Sequence, residues 1–301
     1  MKLKTAVELF LRGYRNDLTR KTYAVITTHM LAHVSGELDV AQLRPVDLVE
    51  YGQLIDQNPD WSLATRRKYA KSIKAFFNWL VKIEAIEHSP ARNAIKAKRL
   101  PSYVSRDKAI SEEELAYILT YTQFRPRDDA LVKLLRDSGC RIGGAAGLKV
   151  SDIDFENKRA KVTEKGDKTR LIAFETETAV ALRKWILMRK PGAGPYVFTR
   201  DGKPIQSANL AQVISRMAER LGLRSLGPHH FRHRKGHQLA DAKVAPSIAA
   251  TALGHASPMI TLEHYYPADW ASAEEELRKL AQQDEQKQPK PIIRLNTSRS
   301  G

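Results

Sequence analysis

One cysteine, Cys140, in 301 residues excludes a disulfide framework and any zinc site built on cysteine. No apolar run approaches the ~20 residues that a membrane span needs. Glu8 and Arg12 interrupt what would have to be the apolar core of a leader segment, so the expectation is a cytoplasmic protein with no membrane partner. Acidic residues are also in short supply, with 34 Asp and Glu against 50 Lys and Arg, which gives +16 at pH 7 and a pI of about 9.8. Nothing resembles a carboxylate cluster for magnesium. Hydrophobic residues at 42% and charged residues at 28% exclude a disordered chain.

The positive excess is spread along the chain. Residues 1–100 hold 17 Lys and Arg and 10 Asp and Glu, a net of +7, and the remainder carries +9. A chain that is basic throughout, rather than in a tail, points to nucleic acid before membranes or acidic proteins. The length suits about two domains.

The pattern predicts a mainly α protein with a small β-hairpin or sheet. Helices are expected over 5–14, 19–33, 45–55 and 61–82. In the last of these Tyr69, Ile73, Phe76, Phe77 and Leu80 recur at three- and four-residue steps. Arg66, Arg67, Lys68, Lys71 and Lys74 fill much of the opposite side, as a solvated face or a DNA contact. Asp60 or Ser62 could cap this helix. Residues 89–107, with two prolines, several basic residues and no apolar period, read as a linker between domain 1–88 and domain 108–282; 283–301 read as a loose tail. Ser111 and Glu114 form a capping box. A helix is expected over 128–137, ended by Ser138-Gly139. Residues 161–163 and 169–174 flank a five-residue turn and read as a hairpin. Further helices are expected over 176–189, 208–221, 231–242, 245–253 and 272–282.

Taken singly, the polar residues of the second half have ordinary readings. Arg141 is a surface arginine after a helix end, and Lys165 is a solvated lysine at a hairpin tip. His229-His230-Phe231-Arg232-His233 is a helix start or a metal site, and His255 is a helix cap. Tyr265 and Tyr266 are half-buried aromatics. Together they hold what phosphoryl transfer on a DNA backbone needs without metal. Arginine forks grip non-bridging oxygens, a lysine protonates a leaving oxygen, and histidines exchange protons. A tyrosine hydroxyl becomes the nucleophile of an intermediate that conserves bond energy.

In this order the residues resemble the tyrosine recombinase (phage integrase) family of the short, Xer-like, two-domain type. Residues 138–154 look like its first arginine box, with Arg141. Residues 164–170 look like its lysine hairpin, with Lys165. Pro228-His-His-Phe-Arg-His233 is similar to its H-x-x-R box, giving His229 and Arg232. Leu253-Gly-His255 follows Arg232 by the family's usual 23 residues, and Thr261-Leu-Glu-His-Tyr-Tyr266 carries the nucleophile. The family places that tyrosine nine or ten residues after the histidine. Position nine is His264 and position ten is Tyr265, so Tyr265 is the expected nucleophile. Tyr266, one step further, would point about 100° away on a helix.

The resemblance implies a helical N-terminal core-binding domain and a mixed α+β catalytic domain that clamp a duplex from opposite sides. It implies strand cleavage and rejoining through a 3'-phosphotyrosyl intermediate, with no cofactor, no metal and no ATP. The implied partner is double-stranded DNA with paired inverted recognition sites. A monomer in solution would assemble as a tetramer on two sites, with accessory bending or excision factors. Arg170 and Arg234 join the α-helical basic residues as expected DNA contacts. The helix over 272–282 docks on a neighbouring protomer, as the resemblance implies, or packs on its own domain. One departure matters most: the family's acidic residue three positions after the first arginine is replaced by Gly144, leaving Arg141 without its expected carboxylate partner. That keeps a DNA-binding relative without catalysis as an alternative. A type IB topoisomerase-like or telomere-resolving enzyme is the other.

Overall fold

A computed structural model describes residues 1–97, 103–164, 166–190, 192–200, 203–266 and 278–279. Lys165, most of the helix expected over 272–282 and the tail 283–301 lie outside the described residues. The chain divides into two compact units, Met1–Pro101 and Ser102–Gly301.

The first unit is helical: α1 (Leu3–Arg12), α2 (Asp17–Leu31), α3 (Val49–Gln57), α4 (Leu63–Lys82) and the single turn α5 (Ala91–Ala94). Caps set the helix starts. The side chain of Asn16 accepts the Thr19 N–H, and Ser62, rather than Asp60, accepts the Thr65 N–H. The apolar stripe of α4 is buried through Ala70, Ile73, Phe76, Phe77 and Leu80. Phe10 packs edge-on against Tyr14, Tyr23 and Phe76.

The linker begins later than its composition suggests. Ala91 and Ile95 are buried in the core of the first unit. A Cβ on Gly52 would lie 2.2 Å from the Ala94 carbonyl oxygen, so α3 admits α5 only because residue 52 is glycine. Two well-placed apolar residues are enough to fold back a segment whose prolines and charges read as extended.

The basic side of α4 is also not uniform. The guanidinium of Arg66 donates to three carbonyls, those of Trp61 at 3.0 Å, Asp56 at 2.7 Å and Asn58 at 2.7 Å, and so fastens the α3–α4 joint. Lys74 donates to the Arg92 carbonyl. Lys68 and Lys71 are exposed and Arg67 is half-buried. Arg66 thus has a structural role whether or not it also meets DNA, with three of its five N–H donors engaged by the fold.

The second unit comprises α6 (Glu112–Thr122), α7 (Pro126–Ser138), α8 (Ile142–Gly147), β1 (Ile153–Asp154), β2 (Arg159–Glu164), β3 (Lys168–Ala173), α9 (Thr176–Met188), β4 (Thr199–Arg200), β5 (Lys203–Pro204), α10 (Ser207–Arg220), α11 (Pro228–Asp241), α12 (Pro246–Leu253) and α13 (Pro258–Tyr265). The Ser111–Glu114 capping box opens α6. Ala130, Leu131, Val132, Leu134 and Leu135 of α7 are all buried, the mark of a helix surrounded by others. β1, β2 and β3 form one antiparallel sheet in that order, and β4 pairs with β5. The hairpin turn is shorter than expected: Glu164 pairs with Lys168, so both belong to the ladder. No described helix is long and apolar enough to cross a membrane.

Candidate active site

Four stretches of sequence converge. At the end of α7, Gly139 adopts φ +56°, which turns the chain so that Arg141 becomes the N-cap residue of α8. The Arg141 backbone N–H donates to Oε1 of Glu164 at 2.9 Å, while its guanidinium Nη1 donates to Glu164 Oε2 and, at 3.1 Å, to the Gly254 carbonyl. Glu164 is the last inward position of β2, whose exposure alternates from Arg159 to Glu164. Arg170 on β3 donates to Glu164 Oε1 at 3.2 Å and to the Ala252 carbonyl at 2.5 Å. Burial alone would raise the Glu164 pKa. The Arg141 N–H and the charges of Arg170 and Arg141 outweigh it and hold the carboxyl below its ordinary range.

Helix α11 begins with Pro228 at its first turn and supplies a polar stripe. His229, Arg232, His233, Gly236 and His237 follow the i, i+3, i+4, i+7, i+8 pattern of a buried helix face. Arg232 is 4% exposed; Nη1 donates to the Gly139 carbonyl at 3.0 Å, and Nη2 is buried with no partner among the described residues. Burial, then the charge of Arg141, lowers its pKa to about 10, so it stays charged at neutral pH and would be stabilised by an anion. His229 is the most open member of the stripe.

Tyr265 ends α13 and is 2% exposed. Its hydroxyl lies 3.0 Å from His233 Nδ1. Its ring stacks on His255 at 6.2 Å and fills the space beside Gly236, where a Cβ would lie 2.5 Å from the ring. Burial raises the Tyr265 pKa, with Arg232 and Arg141 pulling the other way. His255 Nδ1 is 2.6 Å from the Thr261 hydroxyl. Tyr266 points elsewhere, its hydroxyl donating to the Val244 carbonyl. The Val104 N–H donates to the His264 carbonyl, next to Tyr265.

The structure thus gathers Arg141, His229, Arg232, His255 and Tyr265, and separates Tyr266 from them. Two of the residues expected to contact DNA have partners within the fold. Arg170 is bound within the site, its side chain 11% exposed. Arg234 is held by Glu112 in a two-oxygen ion pair at 2.7 and 2.9 Å. Sequence reasoning overlooked Glu164 and His233 as members of the site. The first is legible once the alternation of Ala160 and Val162 is carried two residues further, and the second from its four-residue step after His229. Among the described residues no cluster of three or more His, Cys, Asp or Glu side chains is placed to hold a metal ion. The carboxylate that Gly144 denies Arg141 is supplied from the strand.

His233 and His255 are both pushed down to about 4. Burial is the main cause for each, followed by neighbouring histidines for His233 and by Arg232 and Arg141 for His255. In the unfolded chain they titrate near 6.5 (about the ordinary value). Between that pH and about 4 the unfolded state therefore binds more protons, and stability falls as pH is lowered through this window. The midpoint of thermal unfolding is expected to drop between pH 7 and 5, with a shallower drop in His255→Gln. Equal slopes in the two proteins would contradict the assignment.

The model of the phage integrase family matches residues 108–271. Tyrosine recombinase XerC of Corynebacterium efficiens is 29% identical over 260 residues, 83% of this chain and 78% of the relative. XerC of Xylella fastidiosa strain M23 is 30% identical over 224 residues, 73% of each. Among solved structures, the Tn1549 transposon integrase in complex with transposon right end DNA matches with a TM-score of 0.76 at 21% identity, over 93% of this chain and all of that one. XerH bound to its difH substrate in a pre-cleavage complex matches at 0.66 and 24%, over 86% and 78%. The two structural likenesses extend over both units and carry the fold.

Proposed function

Because the chain belongs to the phage integrase family, we propose that Arg141, Arg232 and Tyr265 carry the DNA strand cleavage and rejoining of a tyrosine-type site-specific recombinase. The observation that supports this reading is Arg232: a buried guanidinium with one free edge, beside a second arginine and a tyrosine hydroxyl. A scissile phosphate seated on Arg141 and Arg232 would have its charge offset as its phosphorus becomes pentacoordinate. The Tyr265 oxygen bonds to phosphorus, the bond to the 5' oxygen breaks, and a 3'-phosphotyrosyl link and a free 5' hydroxyl result. Attack by a second 5' hydroxyl reverses the step on a new partner strand, so no nucleotide cofactor is consumed. His233 Nδ1, in the tautomer that accepts, orients the Tyr265 hydroxyl and takes its proton as the oxygen attacks. We assign protonation of the leaving 5' oxygen to Lys165 on the resemblance of its sequence box. His229 and His255 flank the phosphate position.

DNA affinity is drawn from both units, with Arg67, Lys68 and Lys71 as candidate contacts on α4. Assembly as a tetramer on paired inverted sites, help from bending or excision factors, and residence at the nucleoid in the cytoplasm complete the proposal. Neutralising six or more phosphates makes affinity fall roughly a thousandfold between about 50 and 200 mM salt. A titration at both salts, on a duplex selected from a random pool by binding to this protein, tests this; a flat response would overturn the DNA interface. Strand exchange between two labelled copies of that duplex separates recombination from relaxation alone.

A further inference from the structure

We propose that Glu164 is the positioning residue of Arg141, and that Gly144 and Glu164 form a coupled pair in which the carboxylate has moved from helix α8 to strand β2. The inference rests on the reading of Arg141 as a phosphate-binding residue.

Three observations carry it. Gly144 is buried, and a Cβ there would lie 3.2 Å from Glu164 Cγ, 3.5 Å from Glu164 Oε1 and 3.4 Å from Val162 Cβ. The space a side chain at 144 would enter is thus already filled by the Glu164 side chain. Glu164 also grips Arg141 twice, through the backbone N–H with one oxygen and through the guanidinium with the other. Both the position of the arginine along the chain and the direction of its head are thereby fixed. Among the described residues the Arg141 side chain spends only Nη1 in these bonds, which leaves Nη2 for a ligand. Finally, one carboxylate serves two arginines, which leaves a net positive charge for an anion: Arg170 shares Glu164 and is tied to the Ala252 carbonyl, and Arg141 is tied to that of Gly254. One carboxylate thereby ties β2, β3, α8 and the turn before His255 into a single frame.

A buried acid between two arginines could serve folding alone, so the test must distinguish support from positioning. An outer partner that orients a site group costs ~10–100-fold when removed. The full chain is compared as wild type, Glu164→Gln, the two single variants Glu164→Gly and Gly144→Glu, and the double variant that combines those two. The readouts are covalent adduct formation on a nicked form of the selected duplex, affinity for the intact duplex, and thermal unfolding. Glu164→Gln is expected to slow adduct formation at least about tenfold with affinity within about threefold. Gly144→Glu alone is expected to slow it comparably, because two carboxylates compete for one space. The double variant, with one carboxylate again facing Arg141, is expected to return to within about threefold of wild type. A loss in the double variant equal to the product of the two single losses would overturn the pairing. So would a Glu164→Gln protein that cleaves at the wild-type rate, or a double variant that fails to fold, since the two placements are claimed to be equivalent. If the wild type itself forms no adduct, the recombinase reading of the site fails instead.

Discussion

Replacing Tyr265 with phenylalanine is expected to remove the covalent protein–DNA adduct, lowering cleavage by about a thousandfold or more, while DNA affinity changes little. The substitution deletes one oxygen from a ring that is 2% exposed and seated against Gly236 and His255. Packing is retained, and the loss of the hydrogen bond to His233 costs about 1 kcal/mol of stability. Tyr266→Phe is expected to keep the adduct, because its hydroxyl is committed to the Val244 carbonyl. Equal loss in both variants would mean that the segment, rather than one hydroxyl, is what matters. Gel analysis of denatured reactions, with binding measured in parallel, distinguishes these outcomes.

Arg232→Ala is expected to give the second largest effect, a fall in cleavage of about a hundred- to a thousandfold with affinity lowered only a few-fold. The reason is the division of labour within its guanidinium. Nη1 is bound to the Gly139 carbonyl, so the head is fixed before DNA arrives, and Nη2 is left unpartnered where a phosphate oxygen would satisfy it. Fixed donors stabilise the developing charge without reorganising, whereas affinity comes from many backbone contacts elsewhere. Arg232→Lys is expected to recover little, because an ammonium cannot hold the Gly139 carbonyl and a phosphate in one planar fork. Leaving that carbonyl unpaired costs about 1–3 kcal/mol, so cleavage is compared at a temperature where both variants remain folded. A Lys variant with near-wild-type cleavage would show that charge alone suffices.

How much of this was legible in the sequence depended on the physics behind each feature. The apolar stripe of α4 was plain, since Ile73, Phe76, Phe77 and Leu80 repeat at the helical period and all are buried. The order Arg141, Arg232, His255, Tyr265 was legible because the chemistry needs fixed residue types. Helix α8 was not: Ile-Gly-Gly-Ala-Ala-Gly has poor helix propensity, and its small residues serve close packing against β2 instead. The same packing hid the carboxylate partner of Arg141, which comes from 23 residues away in the chain. Charge without context also left something out. Arg66, Arg170 and Arg234 read as DNA contacts, yet carbonyls or carboxylates of the fold hold each of them. A lone arginine in a sequence does not reveal whether its donors are spent. The segment 89–97 read as extended because Ala91 and Ile95, both buried, are too few to make a period.

The most direct measurement is the chemical identity of the residue joined to DNA. The wild-type protein is trapped on a nicked duplex and digested with protease, and the peptide that carries the nucleotide is sequenced by mass spectrometry. The account predicts a phosphate at the 3' end of the cut strand joined to the oxygen of Tyr265. Phosphate on Tyr266, or DNA cut with no protein attached, would contradict it.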